Sequence, residues 1–189
     1  MADPKTFDPE PDARLPRGRL GNVDVLVVTG GTETPAAEAQ VVEQDCCFVL
    51  SARGPVTASR ESYAELVAGM LRQRGADPGS VLVHDRQDPI RLEAIVHDLD
   101  REPSWRAEWI AQAVDGILTL AGERGWRSLR LPVLGRVHGR FDPAEFVALL
   151  AAALPIRANH RLEQLWLEAP EAALPALIAA LRAGADGAA

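Results

Sequence analysis

The run Leu131-Pro-Val-Leu-Gly-Arg-Val-His-Gly-Arg140 holds the residues best suited to act on a ligand. It follows a strand pattern and runs into Asp142-Pro-Ala-Glu145, where an acidic cap, a proline at the first helical position and a glutamate at the third announce a helix start. An α/β fold binds ligands at such a junction. Loop amides and the helix amino end favour an anion, Gly135 and Gly139 let the backbone approach it, and Arg136 and Arg140 can make charge-assisted contacts to phosphate. The plainer reading stands beside this one: two glycines shape a turn, the arginines are solvated, and Asp142 already occupies the helix end.

Other candidates carry weaker patterns. Thr29-Gly-Gly-Thr32 follows a strand but lacks the glycine spacings of dinucleotide or P-loop motifs, so a strand-ending turn is expected. His84-Asp85 and His97-Asp98 repeat a His-Asp pair that could serve acid-base or metal chemistry if their strands bring the histidines together, yet no third ligand stands at a telling spacing. Strand-end residues that are solvated or hydrogen-bonded explain them as well. His138 sits inside the glycine loop, where it reads equally as a ligand contact or as a surface residue. Cys46 and Cys47 open what reads as a strand, 46–50, which favours small buried side chains over a reactive thiol site. The spacing shows no Ser/His/Asp set, nucleophile elbow, metal site or cofactor motif. Trp105, Trp109, Trp126 and Trp166 are dispersed, which suits packing.

The elements that must position these residues follow from periodicity. Residues 23–28 and 46–50 read as strands, and the stretch 36–43 between them is open, since Pro35 could start a helix while Val41 and Val42 could extend a strand. Residues 62–74 place Tyr63, Leu66, Val67, Met70 and Leu71 on one helical face. A turn at 77–79 leads into strand 80–83, and 92–99 reads as a neighbouring strand that can pair with it. Ser104 is placed to cap a long helix that ends at Gly122 and Gly125. Strand 128–133, a helix from 142, strand 162–167 and a helix over about 170–182 complete the alternation, which implies parallel strands joined by crossovers. Residues 1–19 carry four prolines among charged residues and read as a mobile arm, and 184–189 as a frayed end. Residues 20–183 form one domain.

Composition narrows the function classes. A chain of 189 residues with 47% hydrophobic content can bury a core without metal or disulfide support. Its net charge of -7, with no Lys/Arg cluster, argues against non-specific nucleic-acid binding. The 20 basic residues are 19 arginines and Lys5, a bias that fits a GC-rich, bacterial-like genome rather than a function. Adjacent cysteines would need a strained ring to pair, so a reducing, cytoplasmic setting is expected, and no apolar run is long enough to span a membrane.

Residues 108–139, with a long helix, the strand Arg-Ser-Leu-Arg-Leu-Pro132 and a Gly-x-x-x-Gly loop, resemble the second half of a macro domain, the ADP-ribose-binding module. Upstream, Gly75-Ala-Asp-Pro-Gly-Ser-Val-Leu-Val83 and Leu92-Glu-Ala-Ile-Val-His97 extend the likeness, so that it covers about 20–183. The resemblance implies a three-layer α/β/α fold with a mixed, mostly parallel sheet. It also implies two ligand loops. The diphosphate loop maps onto Gly135, Arg136, Val137, His138, Gly139 and Arg140, with Arg136 where a small hydroxyl residue is usual, Val137 where the second glycine is usual, and Gly139 matching. The loop that in this family carries asparagines maps onto Ser51, Ala52, Arg53 and Gly54, without the asparagines or the glycine run that hydrolytic members use. The early acidic residue that reads adenine falls within Thr29-Gly-Gly-Thr32, which offers no carboxylate. A non-catalytic binding module for ADP-ribose or a related nucleotide is therefore implied, with a degenerate fold serving protein interaction or assembly as the alternative.

Overall fold

The computed structural model describes residues 15–32, 36–50, 75–157 and 161–186. Residues 51–54 and the helix expected over 62–74 lie outside them.

Among the described residues seven strands form one sheet: β1 (Arg17–Leu20), β2 (Val23–Val28), β3 (Ala39–Asp45), β4 (Val81–His84), β5 (Ile90–His97), β6 (Ser128–Pro132) and β7 (Gln164–Glu168). Their spatial order is β1-β2-β7-β6-β3-β5-β4. The five inner strands are parallel, and the edge strands β1 and β4 run antiparallel to β2 and β5. The sheet is mixed and mostly parallel, as the resemblance implied.

Among the described residues three α-helices, α1 (Ala107–Arg124), α2 (Pro143–Arg157) and α3 (Leu174–Asp186), pack side by side. Along α1 the buried residues Ile110, Ala113, Val114, Ile117, Leu118 and Ala121 recur at three- and four-residue steps, so one face meets the sheet. Each aliphatic side chain that leaves water there contributes about 1.5–3 kcal/mol. The inner strands alternate accordingly. Val25 and Val27 join the main core, whereas Leu26, Val28 and Trp166 form a smaller cluster with Ala37. No helix among the described residues is long and apolar enough to cross a membrane.

Several expectations are corrected. The strand before the first ligand loop is 39–45, not 46–50. Asp45 is fully buried and its carboxylate accepts the N–H groups of Cys47, Val49 and Leu50 at 2.7–2.8 Å, curling those residues into a turn. Such side-chain bonds give the backbone an alternative to the ladder. Ser104 does not cap α1. Arg106 stands at the cap position without a side-chain bond, and the Ser104 hydroxyl goes to His97. Part of the arm, 17–19, belongs to β1, because pairing with β2 satisfies its backbone. At the other end α3 continues through Asp186 rather than fraying at 184. The helix at 142 starts as its residues dictate: Asp142 accepts the Ala144 N–H at 2.8 Å, and Pro143 is the first helical residue.

Candidate functional site

The sheet has a switch point between β6 and β3. From β6 the chain crosses through α2 to β7 on one side, and β3 pairs with β5 on the other, so the crossovers diverge and leave a crevice at the carboxyl ends. Backbone pairing shows it. Ala39 and Gln40 of β3 lie opposite Leu129 and Arg130, and there the β3–β6 ladder stops, whereas the β3–β5 ladder continues to Asp45 opposite His97. Beyond the last rung one side chain bridges the gap: Glu43 Oε2 accepts the Gly135 N–H at 2.9 Å.

The loop after β6 closes on itself. Gly135 accepts the Phe141 N–H, and the Arg136 N–H reaches the Val133 carbonyl, each at 3.1 Å. Gly135 has φ +72°, the left-handed region in which a Cβ is unfavourable. Gly139 is required by space, since a Cβ there would stand 2.5 Å from the Gly135 carbonyl oxygen, inside any real contact, and would collide with the Trp105 ring.

Three depressions meet around this loop. One of about 610 Å³ is lined by residues 102–105 and 137–140. A second, about 310 Å³, lies over the crevice against Glu43, Arg91, Pro132, Val137, His138 and Glu168. A third, about 180 Å³, runs from Val137 and Glu168 to Gly30. Val137 borders all three. Of the residues assigned to the diphosphate loop, Val137, His138, Gly139 and Arg140 thus line a cavity, Gly135 is buried beneath them, and Arg136 lines none of the three.

Beneath the loop lies a hydrogen-bonded set that sequence reading missed. His97, fully buried, bonds Glu43 Oε1 through Nε2 and Ser104 Oγ through Nδ1, the latter at 3.0 Å. The Glu43 side chain is only 5% exposed, and His138 stands edge-on to His97 with ring centroids 5.9 Å apart. The expected neighbour was His84, but the antiparallel register puts His84 opposite Arg91, six residues from His97 along β5 and about 20 Å away. A signal did exist: Glu43 and His97 both sit near the carboxyl ends of strands that turn out adjacent. Nothing local to either residue says that the strands pair.

Charge around the crevice is largely paired. Glu168 binds Arg130 at 2.9 Å and Arg91 binds Glu93 at 3.0 Å. At the end of β3, ligand atoms of Asp45, Cys46 and Cys47 lie within 4.8 Å of one another, a set that could hold a metal, although Asp45 is committed to the turn amides. Cys46 is half-buried and Cys47 exposed, rather than both packed in a strand. Burial and the adjacent Cys47 thiol push Cys46 up to about 11. The Arg101 guanidinium holds the Asp98 carboxyl below the usual carboxylate range. Thr29–Thr32 closes as the expected turn, with the Thr32 N–H on the Thr29 carbonyl at 3.1 Å.

The architecture is that of a macro domain, a three-layer α/β/α fold. The chain is similar in structure to the Oceanobacillus iheyensis macrodomain with ADP, at TM-score 0.62 and 14% identity over 88% of this chain and 94% of that one. It is also similar to the macrodomain of Thermus aquaticus DarG, at TM-score 0.55 and 19% identity over 77% and 98%, and to the Trypanosoma brucei macrodomain in complex with ADP-ribose, at TM-score 0.54 and 15% identity over 82% and 68%. At these identities the likeness establishes the fold. No protein-family model matches the sequence, and no curated protein matches it.

Proposed function

We propose that this chain is a binding module that takes ADP-ribose or a related nucleotide in the β3–β6 crevice and does not hydrolyse it. One observation carries the reading: the glycine loop after β6 lies over the switch-point crevice of a fold whose solved examples include one with ADP and one with ADP-ribose. Val137, His138, Gly139 and Arg140 would meet the diphosphate, Gly135 and Arg136 would shape the loop, and Ser51, Ala52, Arg53 and Gly54 would face the distal ribose. The absent asparagines remove the groups that the family's hydrolases use, which supports binding without catalysis.

Calorimetric titration with ADP-ribose, then AMP, NAD and ATP, tests it. Saturable heat is expected, with Arg140→Ala weakening binding by at least about 1–2 kcal/mol, the scale of a lost charge-assisted hydrogen bond, and Arg136→Ala and Gly139→Val weakening it through the shape of the loop. Unchanged affinity in all three variants would count against the reading. A second reading, a degenerate fold that serves protein interaction or assembly, has one specific observation in its favour: the Gly135 amide is already held by the Glu43 carboxylate. It predicts no heat with any nucleotide and a protein partner that is lost when residues 1–19 are removed.

A further inference from the structure

The Glu43–His97–Ser104 set has the polarity of a nucleophile triad. Glu43 receives the Gly135 N–H on one oxygen, as an ionised acceptor does, and turns the other to His97 Nε2. In the neutral imidazole that bond puts the proton on Nε2, which leaves the Nδ1 lone pair facing Ser104 Oγ at 3.0 Å with the hydroxyl as donor. Orienting carboxylate, base and hydroxyl then stand in the order found in acyl-transfer enzymes, with the two ring nitrogens exchanged. Such a constellation is recognised by geometry and role, not by chain order. A core hydrogen bond would be sealed on all sides. This set opens at both ends: Glu43 borders the cavity of about 310 Å³, and half-buried Ser104 lines the one of about 610 Å³ together with Trp105, Val137, Gly139 and Arg140.

We propose that Ser104 is an acyl-transfer nucleophile and that the cavity it lines accepts a small carboxylic ester, with Arg140, which also lines it, as the cation that meets the developing charge. Ser104 Oγ adds to the ester carbonyl while its proton passes to His97 Nδ1. The tetrahedral oxyanion collapses, breaking the bond to the alkoxy oxygen, and the leaving alcohol takes the proton from Nδ1. Water then attacks the acyl-serine, delivers a proton to Nδ1, and the acid departs as Ser104 recovers that proton. Every step is a proton or acyl transfer and needs no further reactant. The ester and the nucleotide share Val137, Gly139 and Arg140, so bound ADP-ribose should slow ester turnover.

The test treats the full chain with diisopropyl fluorophosphate and maps the adduct by peptide mass, alongside turnover of p-nitrophenyl acetate. A single adduct on Ser104 is expected, with turnover falling at least about a hundredfold in Ser104→Ala. Glu43→Gln discriminates further. Its amide oxygen can keep the Gly135 N–H while its amide nitrogen donates to Nε2, which moves the imidazole proton to Nδ1; the network stays satisfied but the base is gone. Turnover should then fall by a comparable factor at unchanged KM in a protein whose circular dichroism is unaltered, and the imidazole ¹⁵N shifts should report the exchanged tautomer. An adduct elsewhere, no adduct, or full turnover in folded Ser104→Ala overturns the proposal. If Ser104→Ala does not fold, adduct mapping on the parent chain decides alone.

Discussion

Loss of the Glu43 carboxylate should cost the fold heavily. In Glu43→Ala two buried donors lose their acceptor together, His97 Nε2–H and Gly135 N–H. Each orphaned donor costs about 1–3 kcal/mol, so the variant should lose about 2–6 kcal/mol. Glu43→Gln keeps the volume and, through the tautomer exchange, both contacts, so it should lose less than about 1.5 kcal/mol. Urea unfolding followed by tryptophan fluorescence reads the difference. At a slope of about 2 kcal/mol/M the midpoint should drop by about 1–3 M for alanine and by under about 0.75 M for glutamine. A stability of about 5–15 kcal/mol, usual for a domain, leaves the alanine variant measurable or just unfolded, and both outcomes agree with the reasoning. An alanine midpoint within about 0.3 M of the parent, or a glutamine variant as damaged as alanine, would show that the carboxylate does not hold the crevice together.

Gly135→Ala forces a side chain into φ +72° and points its Cβ at the Ile110 methyl, 2.5 Å away. Because that methyl can yield, the backbone term dominates, and a loss of about 1–3 kcal/mol should lower the melting temperature by roughly 3–10 °C; a shift under about 1 °C would contradict it. Cys46, held protonated up to about pH 11, should be alkylated by iodoacetamide at pH 8 well after exposed Cys47, with peptide mapping as the readout and equal rates as the refuting result. Asp98 has a folded-state pKa lowered by Arg101, so the pair stabilises the fold above the ordinary aspartate value of about 3.9, and the benefit is lost as pH falls through the lowered value. Arg101→Ala should therefore reduce the urea midpoint at pH 7 and converge on the parent near pH 2. A gap just as wide at low pH would mean that Arg101 acts through packing instead.

What the residues alone determined is local. Strand and helix periods, the Asp142-Pro143 start of α2 and the turn at Gly135 follow from side chains that meet neighbours within a few positions, and these suffice to imply alternating α/β layers. Even local reading fails where a distant or buried partner competes: the Asp45 carboxylate gathers three amides and ends β3 before the cysteines, and His97 claims the Ser104 hydroxyl from the helix it would have capped. The order of strands in the sheet is a different kind of fact. β3 lies between β5 and β6 because crossovers pass over the sheet in opposite directions, and no residue in β3 encodes that placement by its own type. Only that order brings Glu43 to Gly135, 92 positions away, and to His97, 54 away, while setting His84 at the far end of β5. The glycine loop could be read from sequence because its chemistry is contiguous, whereas the buried set beneath it could not, because its members become neighbours only when the sheet has assembled.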